Sequence, residues 1–308
     1  MSLAFVFPGQ GSQAIGMLAD LADSHSIVTE TFAQASEVLA YDLWQLSQQG
    51  PTEALNQTDK TQPAMLAAGV AVYRVWQQAG GVTPSIMAGH SLGEYTALVC
   101  AGALNFDDAI SLVADRGRFM QEAVPSGEGA MAAILGMEDD QVAALCEAQS
   151  QGQVLSPVNY NSPGQVVIAG NAAAVKRAVD NAADAGAKKA VMLPVSVPSH
   201  CSLMKSAADR LADRLASIDI SQSIIPVIHN ADVTAYEDAD KIRDALVRQL
   251  FNPVRWVETI QAMASQGVDK IIECGPGKVL AGLNKRIDRR MPALPVFDPA
   301  SLEKALAE

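Results

Sequence analysis

Cysteine is scarce in this chain of 308 residues. There are four (Cys100, Cys146, Cys201 and Cys274), none in Cys-x-x-Cys spacing. That excludes a disulfide scaffold and a clustered zinc site, and fits a reducing cytosol. Basic residues are also few, 22 against 34 acidic, for a formal net charge of −12. A broad nucleic-acid or anionic-membrane surface needs a basic footprint, so neither partner is expected. No apolar run approaches the roughly 18 residues that span a bilayer; the longest, Pro63 to Tyr73, stops at Arg74. No basic segment followed by a hydrophobic one opens the chain, so no secretion signal is visible. Histidine is limited to His25, His90, His200 and His229, which makes the search for a catalytic base short.

What is present is globular: 49% apolar and 18% charged residues. A chain of this length can bury about three quarters of its unfolded surface without staples. Leu3–Phe7 and Ser85–Gly89 are short apolar runs ended by turn residues, and read as buried strands. Helical spacing covers Ile27 to Leu46, Gln62 to Ala79 and Leu92 to Leu104, and Asn105 caps a further helix to about Glu122. After the linker Pro125–Gly129 the texture changes. Strand, helix, strand, strand, helix and strand follow at Ala130–Leu135, Asp139–Ala148, Val154–Asn159, Val166–Ala169, Ala172–Ala185 and Ala190–Val195. Asn161-Ser162-Pro163-Gly164 turns the middle pair. That order is the ferredoxin-like split unit, so residues 124–197 are expected to be a small inserted domain. The flanking stretches, 1–123 and 198–308, alternate strand and helix. Strands are expected at Ile224–Ile228 and Lys270–Glu273, in a parallel sheet covered on both faces.

The sharpest chemical signal is Gly89-His90-Ser91-Leu92-Gly93, between a strand and a helix. This Gly-x-Ser-x-Gly context holds a serine in a cramped turn with its hydroxyl clear of the sheet. The N–H of Leu92 then faces any developing oxyanion. The plain alternative is a strand–turn–helix with a capping serine. A serine needs a base. His90 is adjacent, but the turn points it away. His25 lies in a polar stretch. His200 sits where the chain leaves the insert, a favoured pocket position, and His229 is the second candidate. A histidine packed into the domain seam would look the same at His200.

The helix after Ser91 runs outward for ~20 Å and the next returns, bringing Arg116 ~15 Å back along it and near the serine's level. There it could clamp a carboxylate, or it could be an ordinary solvated arginine. Gly9-Gln10-Gly11-Ser12-Gln13-Ala14 satisfies the dinucleotide fingerprint in letters, but no second strand ending in an acidic residue follows. Gln10 in this loop could instead donate its N–H to the same oxyanion. Glu273 to Lys278 lacks phosphate-loop spacing and reads as a turn, and Cys201 reads as a buried thiol.

Seven ordered motifs carry a resemblance over essentially the whole chain. They are Phe7–Gln13, Gly89–Glu94, Arg116-Gly117, Asn161-Ser162-Pro163, Val197–His200, Gln249 with Asn252-Pro253-Val254, and Gly275-Pro276-Gly277. In this order they resemble the acyltransferase family of fatty acid and polyketide synthesis, in its bacterial malonyl-CoA:acyl-carrier-protein transacylase branch. The resemblance implies an α/β-hydrolase-like core with a ferredoxin-like insert. It implies Ser91 as the nucleophile, His200 as its base, the N–H groups of Gln10 and Leu92 as the oxyanion hole and Arg116 as the malonyl clamp. Gln249 is implied to orient the histidine through its main-chain carbonyl. Malonyl-CoA and acyl-carrier protein are the implied partners, with no cofactor or metal, in a cytoplasmic monomer. Polyketide relatives often carry an aromatic residue before the histidine; here it is Ser199. Acyl-carrier protein is typically acidic, so Lys278, Lys285 and Arg286, with Lys188 and Lys189, are candidate docking clusters. The rivals are a serine esterase or thioesterase on the same scaffold, and a non-catalytic dinucleotide-binding module.

Overall fold

The computed structural model describes residues 2–195 and 197–308. Nine strands are found among them: β1 Leu3–Phe7, β2 Ile86–Gly89, β3 Gly129–Leu135, β4 Leu155–Ser162, β5 Gln165–Asn171, β6 Lys189–Met192, β7 Val227–Ile228, β8 Lys270–Cys274 and β9 Ala293–Val296.

Among the described residues, five strands make a parallel sheet in the order β7-β2-β1-β8-β9. Every residue of β1 is buried, and alternate side chains serve opposite layers. Leu3, Phe5 and Phe7 join one core with the helices Thr58–Gln78 and Phe106–Ala123. Ala4 and Val6 join another with Trp256–Ser265 and Val279–Ile287. Two covered faces explain why the strands read as continuous apolar runs. Glu273, at the end of β8, accepts the N–H groups of Leu280 and Ala281 at 2.9 and 2.7 Å, capping the helix that follows the Gly275–Gly277 turn.

The other four strands form an antiparallel sheet in the order β4-β5-β3-β6. One face packs on the helices Asp139–Ser150 and Ala172–Asn181 through Ala132, Ile134 and Ile168. The opposite face presents Met131, Val158 and Val167 to Cys201, so it lies over the segment that carries His200. The small sheet is tied to the segment before the helix Trp256–Ser265, where Val254 exchanges backbone hydrogen bonds with Val158 and Tyr160, at 2.8 and 3.0 Å.

Several boundaries differ from the periodicity. The helix expected over Ile27–Leu46 is two, Ile27–Leu39 and Leu43–Gln49. Ala40 ends the first at φ 58°, and the Asp42 carboxylate accepts from Gln45 N–H to open the second. The helix after Ser91 stops at Cys100 rather than Leu104, with Gly102 at φ 75°. Only Val227–Ile228 of the expected strand Ile224–Ile228 pairs, and Ile224 is exposed. The edge strand β9 and the helices Lys205–Leu215 and Ala239–Gln249 add to the expected set.

Candidate active site

Ser91 stands between β2 and the helix Gly93–Cys100, with φ 52°. A non-glycine residue there is strained, and holding it requires tight surroundings. They are tight: a Cβ on Gly93 would lie 2.0 Å from the Phe7 carbonyl oxygen, so only glycine lets the turn sit against β1. Gly9 is pressed on the same turn, since its Cβ would meet the His90 carbonyl oxygen at 2.4 Å. The loop carrying Gln10 therefore flanks Ser91. The segment after it runs through turns to a short helix at Ala19, without the helix that a dinucleotide fingerprint opens.

His200 is the histidine that meets Ser91. Its Nε2 is 2.8 Å from Ser91 Oγ, and its Nδ1 is 2.7 Å from the Gln249 carbonyl oxygen. A carbonyl only accepts, so Nδ1 carries the proton and Nε2 is the acceptor for the serine hydroxyl. His200 is buried and also strained, at φ 66°. Burial, and then the charge of Arg116, push its pKa down to about 3. The imidazole is therefore neutral over the ordinary pH range.

The other histidines go elsewhere. His90 Nε2 bonds Asn161 Oδ1 at 2.8 Å, joining the serine turn to the small sheet. His229, the second candidate, is fully buried with Nδ1 2.7 Å from Glu94 Oε1, and does not line the cavity. His25 is half-buried at the end of the helix Ala19–Ser24 and does not line it either. Burial raises the Cys201 thiol to about 11, and its Sγ donates to the Pro198 carbonyl at 3.2 Å.

Arg116 is buried beside the serine rather than solvated. Nη2 lies 3.4 Å from Ser91 Oγ and 3.0 Å from Gln249 Oε1, while Nη1 donates to Gln62 Oε1 at 2.7 Å. Both glutamine oxygens are neutral acceptors. Nε has no partner among the described residues. A buried cation without a contacting carboxylate invites an anionic ligand. The space above it is a cavity of about 120 Å³, lined by Gln10, Ser91, Leu92, Arg116 and His200 from one side and by Met131 of the small sheet and Leu193, just after β6, from the other.

The sequence alone did not single out Gln62, Glu94 and Asn230. Asn230 accepts the Ser91 N–H at Oδ1, 2.7 Å, and donates from Nδ2 to the Gly89 carbonyl, 2.7 Å. The serine's own N–H is thus occupied, which leaves oxyanion binding to other donors. Glu94 followed the Gly-x-Ser-x-Gly run in plain view, but no local pattern marks a carboxylate that acts 135 or more positions away. Among the described residues no group of three or more His, Cys, Asp or Glu side chains is placed to hold a metal, and no helix is long and apolar enough to cross a membrane.

A strained serine hydroxyl paired to a buried neutral imidazole, at the floor of a cavity, is an arrangement chemically able to activate that hydroxyl toward an acyl group. Residues 4–290 match the acyl transferase domain family, and the chain belongs to that family. It is 60% identical over 303 residues to the malonyl CoA-acyl carrier protein transacylase of Escherichia coli K12, covering 98% of each chain. Its identity to the Bacillus subtilis protein of the same name is 44% over 305 residues, covering 99% of this chain and 96% of the other. An acyl carrier protein S-malonyltransferase from Vibrio cholerae superposes with TM-score 0.97 at 60% identity, covering 99% and 100% of the two chains. A malonyl-transacylase solved in complex with a type II polyketide synthase acyl-carrier protein superposes with TM-score 0.99 at 58% identity, covering 100% and 99%.

Proposed function

We propose that this chain transfers the malonyl group of malonyl-CoA to the phosphopantetheine thiol of acyl-carrier protein, through a malonyl ester on Ser91, and so supplies fatty acid synthesis. The observation that carries the reading is the meeting of two groups at one atom. Ser91 Oγ has the His200 imidazole at 2.8 Å on one side and the Arg116 guanidinium at 3.4 Å on another.

In this reading His200 Nε2 takes the hydroxyl proton as Oγ attacks the thioester carbonyl. The N–H groups of Gln10 and Leu92 receive the oxyanion, each worth about 3 kcal/mol in a water-poor site. Collapse of the intermediate expels the CoA thiol, which leaves with the proton from Nε2. The pantetheine thiol then enters, gives its proton to Nε2, attacks the ester and restores Ser91, a ping-pong cycle. Gln249 orients His200 through its carbonyl, in place of a carboxylate.

Arg116 supplies the selectivity. A malonyl carboxylate pairs with its unsatisfied face, whereas an acetyl group leaves a buried guanidinium without an anion. No resident cofactor or metal enters the cycle, and we read the chain as a cytoplasmic monomer with no nucleic-acid or membrane partner.

We read residues 124–197 as an inserted ferredoxin-like domain on an α/β-hydrolase-like core of 1–123 and 198–308; Met1 and Ser196 in these stretches lie outside the described residues. The insert's sheet order, second-third-first-fourth strand, supports this. For acyl-carrier protein the support is a basic strip. Leu135 pairs with Lys189 on one side and Gln165 on the other, and Gln165 Oε1 accepts from Arg286 at 2.6 Å. Lys188 and Lys189 thus share one surface with exposed Lys285 and Arg286.

Intact-protein mass spectrometry tests the proposal. Malonyl-CoA should add one malonyl mass to the wild-type chain and none to Ser91→Ala, and pantetheine thiol should discharge the adduct. An adduct on Ser91→Ala, or one that water removes and thiol does not, overturns the reading.

A further inference from the structure

Behind Ser91 lies a connected polar set with a single carboxylate at its centre. Glu94 is fully buried in the first turn of the helix Gly93–Cys100. Its Oε1 accepts from His229 Nδ1 at 2.7 Å, and its Oε2 accepts from Asn230 N–H and from Gln249 Nε2, both at 2.8 Å. Burying such a charge is costly unless donors surround it, and here three do.

Two amide side chains carry its influence forward. Asn230 holds the Ser91 N–H and the Gly89 carbonyl. Gln249 Nε2 also donates to the Ser91 carbonyl at 3.0 Å, while Gln249 Oε1 accepts from Arg116 and its backbone carbonyl accepts from His200. The nucleophile's backbone, the base and the guanidinium therefore all lean on Asn230 and Gln249, two residues that one carboxylate holds by the Asn230 backbone N–H and the Gln249 amide.

The Gln249 amide has a further consequence. Its oxygen faces a cation and its nitrogen faces an anion, so its dipole is aligned between Arg116 and Glu94. Arg116 is held in a carboxylate's field without being touched by one. A carboxylate in direct contact would pair with the guanidinium and compete with any substrate carboxylate; an interposed amide does not.

We propose that Glu94 is a positioning residue that sets both the Ser91–His200 geometry and the availability of Arg116 to the substrate's carboxylate. This rests on the roles given above to Ser91, His200 and Arg116. Glu94→Gln places an amide N–H against donors and removes the charge. It should slow malonyl-serine formation at least about tenfold and lower the ratio of malonyl to acetyl transfer. The exchange Glu94→Gln with Gln249→Glu keeps both polar groups and the net charge but sets the carboxylate on Arg116. It should fold, as read by circular dichroism and thermal unfolding, and lower the malonyl-to-acetyl ratio at least about tenfold.

A purely structural role would reduce both transfers in proportion to folded protein and leave the ratio unchanged; that result overturns the proposal. Ser91→Ala measured alongside separates the two readings. An adduct on it sinks the assignment of the site, whereas an inert Ser91→Ala with unchanged ratios in the Glu94 variants sinks the positioning role alone.

Discussion

His200 Nε2 and Ser91 Oγ lie 2.8 Å apart across a contact between two strained backbones, at φ 66° and 52°. Neither conformation is comfortable for a side-chain-bearing residue, and each is held from outside. Asn230 and Gln249 grip the serine's N–H and carbonyl, and the His200 N–H donates to the Leu250 carbonyl at 2.9 Å.

The first prediction concerns pH. Burial and Arg116 lower His200 from its ordinary 6.5 to about 3, so the ring stays neutral as pH falls through 6.5. The acylation kcat/KM should hold nearly level from pH 8 to 5, where an unperturbed histidine would have lost about 30-fold. The stability follows the same sign. A depressed histidine pKa contributes stability present above pH 6.5 that is lost as pH falls toward 3. A stopped-flow profile with an apparent pKa near 6.5 contradicts the neutral, buried base.

Arg116→Ala should cut malonyl-serine formation by about 100-fold or more, the scale expected for truncating one partner of a buried charge pair. Acetyl transfer should fall far less, because that substrate offers no anion to the guanidinium. Parallel kcat/KM values for the two thioesters measure this, and an unchanged ratio removes the clamp.

Gly93→Ala should destabilise the fold by at least about 1–3 kcal/mol, the scale of overpacking in a tight core. The added methyl would lie 2.0 Å from the Phe7 carbonyl oxygen on β1, which has no room to yield. Thermal unfolding of the purified variant reads the loss, and a wild-type midpoint refutes the close approach.

Reversing charge at Lys188, Lys189, Lys285 and Arg286 together should raise the KM for acyl-carrier protein about tenfold at low salt. Malonyl-serine formation from malonyl-CoA should stay unchanged, since none of these residues lines the cavity. Steady-state rates at two ionic strengths check it, and a salt-independent, unchanged KM ends the idea of a basic docking strip.

Much of the architecture was legible because it is written in local patterns. The β1 and β2 runs, the Asn105 cap and the turn at Pro163-Gly164 appear where the residues place them. The misses have local reasons too. Ala40 breaks a helix at positive φ although its composition continues the pattern, and Ile224 is apolar yet unpaired at the surface. Edge strand β9, Ala293–Val296, contains Pro295, which weakened its strand signal.

By itself the sequence determined the parallel sheet, the changed texture after residue 124 and the strained turn at Ser91, since each rests on neighbours within a few positions. It offered four histidines; their positions put His200 first and His229 second and left the choice between them open, and only the family resemblance implied His200. Tertiary structure decided that His200 rather than His229 reaches the serine, that Arg116 is buried against glutamine amides, and that Glu94 turns inward. Those outcomes join residues separated by as many as 158 positions. Hydrogen bonds and charges act over a few ångströms of space, so only the folded chain can say which groups they connect.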